Sequence, residues 1–413
     1  MFPQQIERIY TDERARILAT LIGFLHDFDL AEETMQEAFA AALVQWRDSG
    51  IPDNPRAWIV GTARHKALDR LRRDTAFRAK SLDLQRNLLS ASEPDPAMPG
   101  SEFDSDDSIP DDRLRLIFTC CHPALATEAQ VALTLRTLCG LATNEIARAF
   151  LVSPQTMAQR LVRVQRKISE AGIPYSVPPP EMLPARIDAV LVTIYLIFTA
   201  GYTATSGAAL VKTDLCGEAI RLGRLLVSLV PDHAEPAALL ALMLFHDSRR
   251  DARTDPEGNI VLLEDQDRAK WNQAAIREAA ELLKRTSPDS RYAIEAQIAA
   301  IHTTSPRPED TDWRRIATLY AELKRIAPSP VVELNEAVAI AMSQGPEAGL
   351  ERLAELESAG RLENYHLLPA AQARLLEKLG RSQEAKSHYR RALSLARNDP
   401  ERRFLTARLA QLN

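Results

Sequence analysis

The sequence has few of the features that hold an extracellular or membrane protein together. Its four cysteines, Cys120, Cys121, Cys139 and Cys216, are too few and too unevenly spaced for a disulfide framework. The first residues are charged and lack the apolar core of a signal peptide. The longest uncharged stretch, residues 189–211, turns polar in its second half, which disfavours a membrane span. We therefore expect a reduced, cytoplasmic protein that makes no membrane contact.

Glycine is also scarce, and the chain carries no net positive charge. The chain of 413 residues has 15 glycines against 25 prolines, and its formal net charge is −5. Since an acidic chain repels nucleic acid, any such binding must come from local basic patches. Stretches rich in Ala, Leu, Glu and Arg separate the prolines, which predicts an all-α fold in two or three domains.

Composition divides the chain into five segments. They are a helical segment 1–80, an acidic linker 81–111, a second helical segment 112–174, a proline-rich linker 175–184, and a series of helical hairpins 185–413. The acidic linker is expected not to pack, because residues 87–112 contain no Lys or Arg. Its acids are Glu93, Asp95, Glu102, Asp104, Asp106, Asp107, Asp111 and Asp112.

The segment DLAEETMQEAF predicts a helix with one apolar and one acidic face. Asp29 with Glu32 three residues later resembles a capping box at its start. The apolar face is formed by Met35, Phe39, Ala42 and Trp46, which recur at helical spacing. The acidic face carries Glu32, Glu33, Gln36 and Glu37.

The next predicted helix has a basic surface. Asn54 can cap it, and Pro55 suits its first position. The residues expected to face inward are Val60, Ala63, Ala67 and Leu71, and those on the remaining surface are Arg64, His65, Lys66, Arg70, Arg72 and Arg73. Such a patch either binds phosphates or is an ordinary solvated helix end. Trp46 and Trp58 near the loop either stack on unpaired bases or belong to the core.

The segment LATNEIARAFLVSPQTMAQRLVRVQRKI predicts a helix, a tight turn and a second helix. Thr143 and Ser153 are the expected caps, Pro154 takes the first position of the second helix, and Ala147 is small where the helices cross. The buried stripe is expected to be Met157, Leu161, Val164 and Ile168. The opposite face carries Gln155, Gln159, Arg163 and Arg166, with Arg160 at its edge. Gln can read adenine and Arg can read guanine in the major groove of DNA.

These motifs resemble regions 2 and 4 of the extracytoplasmic-function sigma factors of the sigma-70 family, in the group that has a C-terminal tetratricopeptide-like domain. DLAEETMQEAF resembles the region 2 helix that docks on RNA polymerase, and NPRAWIVGTARHKALDRLRR resembles the helix that opens the −10 element. The loop 47–54 matches the one that captures a flipped-out base, and the helical hairpin resembles the reader of the −35 element.

The resemblance implies specific sites and partners. The implied polymerase-binding residues are Asp29, Glu32, Glu33, Gln36 and Glu37, directed at the clamp coiled coil of the core enzyme, whose flap is a further implied partner surface. The implied −10 DNA residues are Asn54, Arg56, Trp58, Arg64, His65, Lys66, Arg70 and Arg73. The implied −35 DNA residues are Gln155, Thr156, Gln159, Arg160, Arg163 and Arg166. No catalytic residue, metal or cofactor is expected.

The C-terminal half is predicted to be an interaction module. From Pro369 onward the chain fits a tetratricopeptide pattern, and Ala337, Gly345 and Ala348 suggest an earlier degenerate copy. The pattern residues are Leu379, Gly380, Ala385, Tyr389, Ala392 and Pro400. Such solenoids present a concave surface for protein segments. Whether the partner lies within the same chain or in another protein stays open.

Two groups of side chains raise the alternative of a metal site or a catalytic centre. Residues 246–268 concentrate His246, Asp247, Arg249, Arg250, Asp255, Glu264, Asp265, Asp267 and Arg268. A metal or catalytic centre is one interpretation, and a salt-bridge network that fixes a long loop is favoured because arginines nearly balance acids. Cys120, Cys121, His122 and Cys139 lack the usual ligand spacing of a zinc site.

The resemblance and the residue patterns together lead us to expect a sigma factor whose C-terminal helical domain regulates it. The first rival is a polymerase-independent helix-turn-helix regulator whose solenoid senses a ligand or a protein. The second rival is an enzyme built around residues 246–268, for which DNA binding would be incidental. Neither rival accounts for the acidic helix, the basic helix and the paired modules together.

Overall fold

The computed structural model describes residues 2–25, 27–86, 109–150, 152–202, 215–396 and 399–412. Within these residues the chain is helical, with one isolated bridge between Thr254 and Ile260 and no strand. The predicted all-α fold is confirmed. In chain order the helices are α1 (Phe2–Leu25), α2 (Phe28–Ser49), α3 (Pro55–Arg86), α4 (Ile109–Cys120), α5 (Thr127–Thr137), α6 (Thr143–Ala149), α7 (Pro154–Glu170), α8 (Leu183–Tyr202), α9 (Leu215–Leu229), α10 (Ala234–Asp247), α11 (Gln273–Leu283), α12 (Arg291–Thr304), α13 (Trp313–Ile326), α14 (Pro330–Gln344), α15 (Pro346–Ser358), α16 (Leu367–Lys378), α17 (Ser382–Leu395) and α18 (Asp399–Gln411).

The chain folds as two compact units, residues 1–193 and residues 194–413. Helices α1–α7 belong to the first unit and α9–α18 to the second, and the boundary falls inside α8. Both helical segments that the sequence treats as separate modules therefore lie in the first unit. The finer five-segment division remains a prediction.

Helices α1, α2 and α3 form the first part of unit one around an apolar core. The predicted face of α2 is confirmed, since Met35, Phe39, Ala42 and Trp46 are all buried. The inward face of α3 is partly as predicted. Ala63 and Ala67 are buried, but Ile59 rather than Val60 joins them, and Leu71 is 46% exposed. Among the α3 side chains that the structure describes, residues 55–73, Ala67 is the last buried one.

Two predicted helix caps are confirmed and two are wrong. Asn54 accepts a hydrogen bond from the Ala57 amide at 3.0 Å, and Ser153 accepts one from the Thr156 amide at 3.1 Å. The cap of α2 is Asp27 instead of Asp29, because the Asp27 carboxylate is the one that accepts from the Leu30 amide. Helix α6 begins with Thr143, so this residue is inside the helix and cannot cap it.

The ends of the acidic linker differ from the expectation. Helix α3 continues to Arg86 and α4 begins at Ile109, so helix replaces linker at both ends. Asp112 is packed and only 8% exposed, because it accepts hydrogen bonds from Thr20 and Arg115. Residues 87–108, which carry most of the predicted linker, lie outside the described residues, as does Leu151 in the hairpin turn.

Helix α8 is long and apolar enough to cross a membrane, by length and composition alone. Several of its side chains are nevertheless packed inside the protein, among them Val190 and Phe198. Its polar residues also have protein partners: Thr193 donates to Gln130 Oε1 at 3.1 Å, and Arg186 donates to the Phe118 carbonyl. These contacts are typical of a core helix.

Unit two is a succession of packed helices. Its apolar clusters each join three neighbouring helices, and α14 and α16 each contribute to two clusters. Helices α9, α10 and α12 lie in the segment for which the sequence predicts a series of helical hairpins. Ala385, Tyr389 and Ala392 on α17 are buried as the tetratricopeptide pattern requires. The assignment to that repeat class itself remains a prediction.

The small residue that lets α14 and α15 touch is Gly349. A Cβ atom at Gly349 would lie 2.3 Å from the Ala341 Cβ and 2.8 Å from the Ala337 carbonyl oxygen. Contacts of this length force the two backbones apart. Only glycine therefore fits at this crossing.

We predict that Gly349→Ala destabilises the C-terminal unit. Separating the helices costs about 1–3 kcal/mol, which exceeds the gain of about 1 kcal/mol from better helix propensity. Gly223→Ala is the matched control, because the nearest atoms to the added Cβ are side-chain ends, Met243 Cε at 2.9 Å and Leu240 Cδ1 at 3.3 Å, and not backbone. Urea denaturation of the full chain measures both variants, and an unchanged or raised stability of Gly349→Ala contradicts the packing argument.

Candidate nucleic-acid interface

The start of α3 combines a helix cap with two aromatic rings. Asn54 caps the helix, and the Trp58 ring stands edge-on to Trp46 with centroids 5.1 Å apart. Trp46 is 1% exposed and belongs to the core, whereas Trp58 is partly exposed. Of the two rings that the sequence places here, only Trp58 has solvent-exposed surface that a ligand could contact.

The cations of α3 differ in how far they are compensated. Arg56 lies 3.8 Å from Glu13, Lys66 lies 3.5 Å from Glu37, and Arg70 pairs with Glu33. The Arg64 guanidinium covers the Phe24 ring at 4.8 Å, and burial lowers the pKa of Arg64 from its usual value.

The side chains of His65 and Arg73 project from α3 and are exposed to solvent. Their recorded hydrogen bonds run to backbone oxygens of the same helix: His65 Nδ1 lies 2.8 Å from the Gly61 oxygen, and Arg73 Nε donates to the Asp69 oxygen at 3.3 Å. Within the described side chains of α3, His65 and Arg73 are therefore −10 candidates that are open to solvent.

The acidic face of α2 is as exposed as the sequence suggests, with one exception. Asp29, Glu33, Gln36 and Glu37 are exposed, and Glu33 and Glu37 face the cations of α3. These pairs are about half exposed, so water and salt screen them. The two predicted binding surfaces thus lie side by side.

Glu32 is the exception, because two arginines hold it inside unit one. Its Oε1 atom lies 3.2 Å from Arg14 Nη2 and 2.6 Å from Arg136 Nη2, and its side chain is 15% exposed. Arg14 also donates through Nη1 to the Thr137 carbonyl at 3.0 Å. We call Arg14, Glu32 and Arg136 the ion triad. It joins α1 and α2 to α5.

Helix α7 presents the predicted polar face to solvent. Met157, Leu161, Val164 and Ile168 are buried, which confirms the predicted stripe. Of the opposite residues, Arg160 lies 3.4 Å from Glu128, and Arg166 lies 2.6 Å from Glu170. The exposed residues without a side-chain partner in the described part of the chain are Gln155, Gln159 and Arg163. Thr156 is exposed and its hydroxyl lies 2.8 Å from that of Ser153.

The same unit also brings α7 close to the start of α2. Asp29 lines a groove of about 420 Å³ together with Gln165 and Arg166 of α7. Tyr175 also lines this groove. Its hydroxyl donates to the Ala19 carbonyl at 2.7 Å or to the Asp112 carbonyl at 3.1 Å. One polymerase-binding candidate and one −35 candidate therefore share a groove.

Sequence reasoning missed the residues that hold unit one together. Arg14, Arg136 and Tyr175 were not singled out, because each acts on a residue far away along the chain. Arg14 and Thr137, for example, are separated by 123 positions. Isolated arginines and a tyrosine after a proline carry no local signal for such contacts.

The two alternative metal sites are not assembled. The described residues include no group of three or more His, Cys, Asp or Glu side chains that could hold a metal ion. Cys120 and Cys121 are buried, their sulfur atoms lie beside the hydroxyls of Thr137 and Thr134, and burial raises the pKa of both thiols. Thiols of this kind are core residues.

Comparison with known proteins places the first helices in a family. The model described as sigma-70 region 2 matches residues 9–77, which span most of α1 to α3. Residues 9–77 therefore match a sigma-70 region 2 domain. A second model, described as a family of unknown function (DUF6596), matches residues 186–287, from α8 to the region just after α11.

Two relatives extend the comparison beyond this domain. It is 40% identical over 412 residues to the uncharacterized protein R00370 of Rhizobium meliloti (strain 1021), which covers 98% of this chain and 96% of R00370. It therefore belongs to the same family as R00370. It is also 27% identical over 169 residues to the probable ECF RNA polymerase sigma factor SigI of Mycobacterium tuberculosis, which covers 40% of this chain and 55% of SigI.

We predict that Glu32→Ala destabilises the first unit far more than Glu33→Ala. The first change leaves Arg14, whose side chain is 6% exposed, without its carboxylate, at a cost of about 2–3 kcal/mol. The second removes a half-exposed pair with Arg70, worth less than about 1 kcal/mol. Urea denaturation of the two full-length variants measures the difference, and equal losses contradict a structural role of the ion triad.

Proposed function

We propose that this chain is a sigma factor that binds core RNA polymerase and directs transcription from specific promoters. The sigma-70 region 2 match over residues 9–77 carries the proposal, since it falls on the helices that combine an acidic and a basic surface. The chain acts by binding and performs no chemistry of its own. It works in the cytoplasm, where the polymerase is, and uses no cofactor.

The acidic face of α2 is the proposed polymerase-binding surface. Asp29, Glu33, Gln36 and Glu37 are exposed there, and their partners are the clamp coiled coil and flap of the core enzyme. The pairs that Glu33 and Glu37 make with α3 are half exposed and cost little to exchange. Glu32 can contribute only after it leaves the ion triad.

Helix α3 and the loop before it are the proposed −10 element reader. Trp58 offers a partly exposed ring on which an unpaired base can stack, and Asn54 fixes the helix start beside it. The exposed His65 and Arg73 supply contacts to phosphates. Arg56, Arg64, Lys66 and Arg70 join them once DNA competes with their present partners.

Helix α7 is the proposed −35 element reader. Gln155, Gln159 and Arg163 are exposed and have no side-chain partner within the described chain, so their hydrogen-bonding groups are available to base edges. Arg160 and Arg166 lie at the border of this face in exposed ion pairs and are proposed to hold phosphates. Ser153 and Thr156 form the helix N-terminus, which favours a phosphate as well.

The C-terminal unit is proposed to regulate this activity. Its consecutive helical pairs form the kind of scaffold that binds protein segments. Either the sigma regions or the polymerase would be its partner.

We predict that the full chain supports run-off transcription by purified bacterial core polymerase and that Glu37→Lys reduces it about tenfold. A charge reversal on the docking face opposes a basic partner surface and weakens association. Glu181→Lys, an exposed reversal in the proline-rich segment, is the control and retains activity. Glu37→Gln separates the lost attraction from the repulsion that the introduced lysine side chain would exert on Lys66.

Tight binding of the chain to promoter DNA without polymerase, together with no binding to the core enzyme, would reject the proposal. That result would favour the polymerase-independent regulator. Binding to core polymerase without transcripts points to an unsuitable promoter, and the same samples then serve for a promoter screen.

A truncation tests the regulatory role, and its end point matters. Cutting at residue 184 would remove Arg186, Val190 and Thr193 of α8, which pack in unit one, so the cut belongs after Tyr202. We expect residues 1–202 to differ from the full chain at least about threefold in promoter output, a change of about 0.6 kcal/mol. Equal transcription and equal polymerase affinity of the two proteins contradict regulation by the C-terminal unit.

A further inference from the structure

The segment between α10 and α11 gathers positive charge beneath the surface of unit two. Arg249 is 9% exposed, and its Nη2 atom donates to the Tyr202 hydroxyl at 3.2 Å and to His246 Nδ1 at 3.3 Å. Because a guanidinium can only donate, His246 Nδ1 accepts, and its Nε2 carries the proton. The Nε atom of Arg249 is buried and has no hydrogen-bond partner.

Two further arginines belong to the same group. Arg253 lies over the Tyr202 ring at 3.7 Å and donates to the Tyr202 carbonyl at 2.7 Å. Arg268 lies over the Trp271 ring at 4.7 Å and donates to the Ser305 carbonyl at 3.1 Å. Trp271 is buried, and its indole Nε1 is a second donor without a partner.

No carboxylate of the described chain pairs with Arg249, Arg253 or Arg268. Four acids of the surrounding segment have other partners, and the Asp310 carboxylate, which Arg268 influences electrostatically, pairs with Arg307 at 3.0 Å. Asp247 lies 2.6 Å from Arg250, Glu264 pairs with Arg374, Asp255 accepts from Asn259 at 2.7 Å, and Asp267 accepts from the Ala269 amide at 3.0 Å. The favoured interpretation of residues 246–268 as a balanced salt-bridge network therefore does not describe these three arginines.

Burial and the neighbouring arginines lower the pKa values of the two nearby histidines. Burial, Arg249 and Arg253 lower the pKa of His246 to about 3. Burial, Arg249 and Arg268 lower the pKa of His302 to about 4. Both rings are neutral at physiological pH and can donate one hydrogen bond without adding charge. Arg249, Arg253, Arg268, His246 and His302 are called the arginine–histidine cluster below.

Uncompensated buried cations and orphaned donors are costly, and a structure that keeps them needs an acceptor of opposite charge. Guanidinium groups match carboxylate and phosphate oxygens in both charge and geometry. The partly exposed side chains of His246, Arg253 and Arg268 leave the cluster open to small molecules. We propose that the arginine–histidine cluster is a binding site for a small molecule that carries a carboxylate or phosphate group.

This site goes beyond the proposed sigma function and can be tested without polymerase. The full chain is titrated with inorganic phosphate and separately with citrate, at an ionic strength held constant with sodium chloride. We expect one of these oxyanions to raise the unfolding temperature of the chain saturably, because a ligand that binds the folded state stabilises it. The anion that acts at the lower concentration identifies the phosphate or the carboxylate class.

Variants locate the site. Arg253→Gln and Arg268→Gln remove partly exposed cations and are expected to weaken binding at least about tenfold, as lost charge-assisted hydrogen bonds do. Arg277→Gln is the matched control, since Arg277 on α11 is exposed and has no partner among the described side chains. It removes the same charge and should bind as the unmodified chain does.

A spectroscopic measurement on the unmodified chain tests the proposal even if a variant fails to fold. In ring proton–carbon spectra of the unmodified chain, the signals of His246 and His302 should shift with the same midpoint as the thermal titration, while His65 of the first unit stays unchanged. Absence of stabilisation by either anion overturns the proposal. So does equal weakening by Arg277→Gln, or shifts that spread evenly over all histidines.

Discussion

The ion triad is the interaction on which the first unit depends. Glu32 accepts from Arg14 and Arg136, and Arg14 reaches on to the Thr137 carbonyl. A charge as buried as that of Arg14 is tolerated only when carboxylate and carbonyl oxygens surround it. The contact therefore ties the helices that match sigma-70 region 2 to the helices that follow residue 109.

The triad also sets a condition for function. Glu32 lies on the face proposed to bind polymerase, yet it is already bound inside the unit, and the groove beside it is shared by Asp29 and Arg166. A partner that takes Glu32 must replace two arginines. In the proposed function α3 and α7 read two promoter elements, and independent reading would require the contacts of Arg14 and Tyr175 within unit one to be exchanged for contacts with polymerase or DNA.

Local signals in the sequence predicted much of this fold and of the candidate surfaces. The buried stripe of α7 and the caps Asn54 and Ser153 follow from helical periodicity and from short side chains next to proline. Asp27 was missed because Asp29 with Glu32 offers a competing capping pattern two residues later. Such alternatives are decided by how the helix packs, which periodicity does not contain.

Contacts between distant segments were beyond sequence reasoning. The partners of Arg14 and Arg249, like the crossing at Gly349, depend on which helices meet, and a single sequence carries no such information. The charge balance of residues 246–268 misled for the same reason. The near balance of acids and arginines in this segment predicted pairing within it. Glu264 instead pairs with Arg374, 110 positions away, and Arg268 lies over the Trp271 ring.

The burial of the cysteines has a practical consequence for labelling chemistry. Cys120, Cys121 and Cys216 are shielded from solvent, whereas Cys139 is partly exposed. An alkylating probe added to the native protein should therefore attach first at Cys139, two residues after the Thr137 carbonyl that binds Arg14. The natural sequence thus already contains a fluorophore attachment point beside the joint of unit one, from which opening of that joint can be followed without an engineered thiol.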